Sequence, residues 1–448
     1  MSKVLLAACD DHCRTRVLRV GVDQEEPVTW RSGRSKMERE ALMGRLRGEA
    51  QRRSAERIVL AYEASGQGFG WHDELRAAGM ECYVLAPSKL KRSPKERKAK
   101  DDVKDAQLIY EALRGFVLAG NRLPKVWVPP PELRDDREVT RGAADVTRKI
   151  ARVKVQVQAL LRRHQVELPQ EMEAWTKGFR AWLAALAEGT TLGPGTRVGL
   201  RSLLRQLAAL EQEEEELGGA VRELAGQPRY REGVAALDAL KGVGPLLALM
   251  FLTEMGDLRR FNNRRKIGAY LGLVPTADES GEIGERKGHI TKQGSARLRK
   301  LLCQAAWSRV RKDGQGDARE RARYERQVAR NPKRKKIALV ACMRRLAVLM
   351  HHVARDGEEW GQGCGPKALL PRPQAPRLRG RPFARVALGV GPGAALAGGA
   401  GGTVGVQSGC QGQGAGGPIS ATDAEGDGAA GRKGKARSWR KRARVTQS

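Results

Sequence analysis

Three short apolar runs constrain this chain first: Val4 to Cys9 (VLLAAC), Arg57 to Tyr62 (RIVLAY) and Glu81 to Ala86 (ECYVLA). Each has the length of a strand and little polar alternation, so each reads as a strand buried on both faces inside a mixed α/β layer. Thr15 to Val22 is expected to return beside the first run, and Ser35 to Arg53 and the segment from Trp71 have helical composition. Acids stand where the runs stop. The first ends in Asp10-Asp11-His12 and the second in Glu63, while the third is followed by a basic loop, Lys89 to Lys100, that leads to Asp101, Asp102 and Asp105.

Asp102 and Asp105 open a segment whose Ala106, Leu108, Ile109, Ala112 and Leu113 recur at helical spacing. One turn apart, their carboxylates meet near a helix N-terminus, where repulsion is costly unless a cation sits between them. The plain alternative makes Asp102 an N-cap and Asp105 a first-turn acid that complements the helix dipole. Acids at two strand ends and at the start of a following helix are what an α/β ribonuclease-H-like nuclease core needs, because two metal ions about 3.5–4 Å apart require several carboxylates. Oxygen ligands of this kind suit Mg2+. Cys9, His12 and Cys13 lie close together, but no second ligand pair at matching spacing argues for zinc. Gly66, Gly68 and Gly70 lack the spacing of a dinucleotide fingerprint and read as a turn.

The 448 residues include 83 Lys and Arg against 51 Asp and Glu, a formal charge of +32 that marks DNA or RNA as the expected partner. Seven scattered cysteines, an odd number, fit a reducing cytoplasm. The strongly apolar run Leu246 to Leu252 is too short to cross a bilayer, so a soluble protein with no membrane partner is expected.

Downstream, Val139, Val146, Ile150, Val153, Val157 and Leu160 follow heptad-like steps, and Leu200, Leu203, Leu207, Leu210, Leu217, Val221 and Leu224 mark a second long helix. They predict a coiled-coil helical arm that either folds back on itself or pairs with another chain. In LKGVGPLLALMFL, Gly242 and Gly244 form a turn between two short helices that resembles a helix-hairpin-helix element, with backbone amides available to a phosphate; the alternative is a plain corner in a core. Pro275 closes the next apolar segment, and a polar loop is expected at Glu279-Ser280-Gly281. A basic stretch with Lys292 and Arg297 then opens another helix, and Lys336 to Ala354 is a last amphipathic one. Beyond about Gly361, Gly, Ala and Pro dominate and end in the basic cluster RKGKARSWRKRAR, which predicts a disordered tail.

KDDVKDA at 100–106, LKGVGP followed by TEMGDLRRF, AYLGLVP, SG at 280–281 and ITKQGSARLRKLL stand in this order. Together they resemble the bacterial IS-one-ten insertion-sequence transposases, the DEDD transposases, over residues 1 to about 355. That resemblance implies a RuvC-like DEDD catalytic domain (1–125), a coiled-coil arm (126–230), a mainly α C-terminal transposase domain (231–358) and a tail (359–448) without a counterpart. It implies Asp10, Glu63, Asp102 and Asp105 as catalytic metal ligands, with Asp11 a rival to Asp10, and Ser280 as the nucleophile of DNA strand exchange. Composition alone reads Ser280 as a turn residue. Gly242, Gly244, Lys292 and Arg297 are the expected DNA contacts. A structured noncoding guide RNA, a homodimer or homotetramer, and a bacterial cytoplasmic, nucleoid-associated setting follow from the same likeness. The rival classes are a Holliday-junction resolvase-like metal nuclease and a non-enzymatic DNA-binding protein.

Overall fold

A computed structural model describes residues 3–90, 101–169, 171–280, 283–313 and 315–360, with the side chains of 277–287 and 356–360 outside that description. The expectations for the loop at 91–100, for Gly281 and for the tail beyond 360 lie outside the described residues. The first part is a five-stranded mixed sheet. Strands β1 (Lys3–Asp11), β2 (Arg16–Val22) and β3 (Val28–Ser32) run antiparallel; α1 (Lys36–Arg52) leads to β4 (Ala55–Glu63), and α2 (Gly70–Ala77) to β5 (Glu81–Leu85). The order is β3-β2-β1-β4-β5, with β4 parallel to both β1 and β5. The three apolar runs are therefore neighbouring strands.

Side-chain alternation divides this sheet into two cores. Leu5, Ala7, Cys9, Leu60 and Tyr62 pack with Leu42 and Leu46 of α1 and Trp71 and Leu75 of α2. Val4, Leu6, Ala8, Val59 and Ala61 pack on the other face with Ile109, Tyr110 and Leu113 of α3 (Asp102–Ala119). Strand β3 was not legible because only Trp30 within it is buried, beneath the guanidinium of Arg45 at 3.8 Å. Such an edge strand shows no apolar run.

Helix α4 (Pro131–Arg163) and helix α6 (Pro194–Gly226), each 33 residues long, lie antiparallel with α5 (Lys177–Glu188) against one end. Val146, Ile150 and Val153 meet Leu207, and Val157, Leu160 and Leu161 meet Leu200 together with Phe179 and Leu183 of α5. The chain thus fills its own heptad seam. Of the two alternatives for this seam, folding back on itself is the one seen: Val153 and Val157 are 5% and 0% exposed inside one molecule.

The remaining elements are α7 (Pro228–Asp238), α8 (Pro245–Met255), α9 (Arg264–Tyr270), a hairpin of β6 (Pro275–Ser280) and β7 (Ile283–Ile290), α10 (Ala296–Val310), α11 (Ala318–Arg330) and α12 (Lys335–Trp360). The polar loop expected around Glu279 and Ser280 is instead strand β6, paired antiparallel with β7. Its sequence, PTADES, is too polar to announce a strand. Two glycines hold this hairpin in place. A Cβ on Gly272 (φ +65°) would fall 2.3 Å from the Gln293 carbonyl oxygen, and one on Gly294 (φ +72°) 2.2 Å from that of Tyr270. AYLGLVP and ITKQG are interlocking backbones that only glycine allows. By length and composition, the helical stretch Pro332–Arg355 could cross a membrane, but Leu339, Cys342, Leu346, Ala347 and Met350 pack in the largest core. It is that core's central helix.

Candidate active site

The C-terminal ends of β1 and β4 set the geometry. Cys9 pairs with Tyr62 in the parallel register, so the next residues along each strand, Asp10 and Glu63, end side by side on the α3 face of the sheet. Asp11 points to the opposite face. There its carboxylate accepts a hydrogen bond from Arg16 Nε at 2.9 Å, with side chains only 2% and 1% exposed, and Arg16 lies over the Trp71 ring. This alternation puts Asp10, and not Asp11, on the α3 face.

A similar division of labour separates Asp101 from Asp102. Asp101 is the N-cap of α3: its Oδ1 accepts from the Val103 amide at 3.0 Å. The plain reading of Asp102 as the cap is therefore corrected, and Asp102 is left in the first turn together with Asp105. The side chain of Asp102 is 45% exposed. Between Asp10 and Asp102 lies His12, which the sequence had offered only as a member of the discounted Cys9, His12 and Cys13 zinc group. Its Nε2 is 2.9 Å from Asp10 Oδ2 and 3.0 Å from Asp102 Oδ1. Asp10 and His12, two residues apart at the end of β1, approach the same carboxylate of α3, and the D-x-H spacing was the signal that could have included His12.

Burial raises the Asp10 carboxyl above the usual carboxylate range, His12 opposes the shift by charge and hydrogen bond, and Asp105 and Asp102 add to it by repulsion. A cation relieves such an arrangement. The donor atoms of Asp10, His12 and Asp102 lie within 4.8 Å of one another, and the group would hold a divalent ion through two carboxylates and one imidazole. This donor set of two carboxylates and an imidazole fits a metal.

The other expected site residues lie elsewhere. Ser280 ends β6, and its side chain is outside the described residues. Gly242 (φ +81°) forms the turn between α7 and α8, where a Cβ would come within 2.9 Å of the Ala305 carbonyl oxygen; Gly244 is the N-cap of α8. Lys292 is exposed with φ +56°. Arg297 donates through Nε and Nη2 to Asp145 of α4 at 2.8 and 2.6 Å, so it ties two helices together. A cleft of about 580 Å³ between Gln67–Gly70 and the start of α4 is not part of the acid cluster. Its Arg134 and Arg141 are paired with Asp73 and Glu254, and its Phe69 packs in the core opposite α3.

Comparison with known proteins adds to this geometry. A family model described as "Transposase IS116/IS110/IS902 family" matches residues 234–324, and a DEDD transposase model of the IS110 type matches residues 19–165. The latter spans Glu63, Asp102 and Asp105 but begins after Asp10. Two putative transposases of Sinorhizobium fredii, y4qE and y4rJ, are each 31% identical over 56% of this chain. The transposase of insertion sequence element IS1111A from Coxiella burnetii is 26% identical over 56% of this chain. The aligned stretches span 59%, 65% and 65% of these relatives.

Proposed function

The chain belongs to the IS116/IS110/IS902 family of transposases, and from that premise we propose that it cleaves and exchanges DNA strands at the site built on Asp10, Glu63, Asp102 and Asp105. The observation that carries this reading is the convergence of Asp10, His12 and Asp102 at the end of a strand and the start of a helix. Mg2+ is the ion we assign to these oxygen-rich ligands; when bound, it stabilises charge on the phosphate and on the leaving oxygen. Asp10 and Glu63, fixed by adjoining strands, and Asp102 and Asp105, fixed by one helical turn, supply negative charge without loop movement. His12 orients Asp10 and Asp102. Asp101 and Asp11 hold the supporting backbone and core.

In this reading Ser280 is the nucleophile. Its Oγ bonds to a DNA phosphorus, the bond from that phosphorus to a deoxyribose oxygen breaks, and the departing oxygen takes up a proton, leaving a phosphoserine link. The role comes from the position of Ser280 in the family's motif order. The sheet order supports a ribonuclease-H-like, RuvC-like first domain, the paired long helices support the arm, and the α7–α8 corner at Gly242 and Gly244 supports a helix-hairpin-helix that touches phosphate. A structured guide RNA completes the partners, with the charge of +32 supporting nucleic acid of either kind. A homodimer or homotetramer in this reading uses surfaces other than the filled heptad seam.

A water-using metal nuclease is the second reading, because Asp10, His12 and Asp102 assemble within the first domain alone. A denaturing gel separates the two. Protein-linked DNA, released by protease, is expected from the parent and absent from Ser280→Ala; undiminished strand cleavage by Ser280→Ala would leave the nuclease.

A further inference from the structure

Helix α4 carries a face that neither the acid cluster nor the hydrophobic seam uses. From Val146 to Val166 the sequence has no acid, while Arg148, Lys149, Arg152, Lys154, Arg162 and Arg163 supply cations. Lys154 turns toward α6, where its Nζ is 3.7 Å from Glu211, and the other five are exposed. At 3.6 residues per turn those five fall within an arc of roughly 140°, with Lys154 outside it. They form one basic stripe.

Helix α10 broadens the stripe near its start. Arg297 and Arg148 share the single carboxylate of Asp145, at 2.6 and 3.2 Å, and Arg148 remains 64% exposed. Lys300 lies close by. Burial lowers its ammonium pKa, and repulsion from Arg148 lowers it further. Three cations thus crowd one acid, an arrangement that an arriving anion relieves. The partner helix α6 has the opposite character, because Glu213, Glu215 and Glu216 are exposed on it. A polyanion would meet repulsion there and attraction on α4.

Two further features identify the polyanion. Helix α4 has no aromatic residue, and single strands are held by bases stacked on aromatic side chains. A duplex keeps its bases inside and presents phosphates. Arg148 to Arg163 spans about 22 Å at 1.5 Å per residue, the rise of roughly six to seven base pairs.

We propose that the exposed face of α4 from Arg148 to Arg163, widened by Lys300 of α10, is a docking surface for the phosphate backbone of duplex DNA, bound without regard to base sequence. The proposal rests on the reading of this chain as a DNA recombinase and adds where the duplex lies. Lysine and arginine at this spacing neutralise phosphates and release counterions, so affinity depends steeply on salt. Arg297, committed to Asp145, positions α10 against α4.

The test is fluorescence anisotropy of the full chain with a fluorescein-labelled random-sequence DNA duplex, titrated across salt concentrations. Arg148→Gln/Arg152→Gln and Arg162→Gln/Arg163→Gln are the test variants, Glu213→Gln/Glu215→Gln on α6 is the control, and circular dichroism confirms folding. Each test pair should flatten the slope of log affinity against log salt by about two, while the control pair should not flatten it. Unchanged slopes in both test pairs would overturn the surface. So would a loss seen only with an RNA duplex of the same sequence. If the parent binds DNA and cleaves through Asp102 yet the α4 variants bind like the parent, only this proposal falls; if the parent binds no duplex, the recombinase reading falls with it.

Discussion

On the α3 face of the central sheet, Asp10 ends β1 beside His12 and Asp102, while on the opposite face its neighbour Asp11 is closed off against Arg16. The same contrast recurs one element later, where Asp101 caps α3 and Asp102 is left in the first turn toward His12. In each pair one acid has its charge satisfied by the protein and the other stands in a cluster of like charge. Local backbone geometry decides which: strand alternation for the first pair, and the step from cap to first turn for the second. Chemistry is therefore expected to follow one member of each pair and stability the other.

The largest expected effect tests that contrast on chemistry. Asp10→Asn and Asp102→Asn should each lower DNA cleavage about 10²–10³-fold or more, the cost of removing a group that acts on transition-state charge, while Asp101→Ala should leave cleavage within a few-fold. Quantified gels on branched DNA check this.

Stability should then show the reverse order. Asp11→Ala leaves the buried Arg16 guanidinium without its carboxylate and should cost about 3–5 kcal/mol in urea unfolding. Asp10→Asn should not destabilise the metal-free protein. Because burial raises the Asp10 carboxyl, the folded state favours its protonated form; that stabilising contribution is present below the unfolded-state pKa and lost as pH rises through the folded one. In chelator-treated protein, Asp10→Asn should therefore gain on the parent at neutral pH and lose that gain in acid. The smallest effect belongs to the cap, since Asp101→Ala should cost about 1 kcal/mol by the same measurement.

Much of this contrast was legible in the sequence, for reasons the residues explain. The strands of VLLAAC, RIVLAY and ECYVLA announced themselves because burial on both faces demands unbroken apolar runs, and the acids at the ends of the first two were visible as terminations. Which of Asp10 and Asp11 faces α3 was not visible, because a one-residue change of register exchanges the faces. His12 was missed as a participant because its role depends on Asp102, ninety positions away. Edge strand β3, with one buried residue, and the polar β6–β7 hairpin carry no apolar periodicity. The heptads of α4 were read correctly as a buried seam, but a seam does not name its partner, and α6 and α5 of the same chain supplied it.

Metal binding tests the central claim most directly. Mn2+, a paramagnetic substitute for Mg2+ at carboxylate sites, can be titrated by electron paramagnetic resonance into the parent, Asp10→Asn, Asp102→Asn and Asp11→Asn. Binding by the parent and by folded Asp11→Asn, weakened tenfold or more in Asp10→Asn and Asp102→Asn, is the result this account predicts. Parent-like Mn2+ affinity in folded Asp10→Asn, or its loss in folded Asp11→Asn alone, would contradict it.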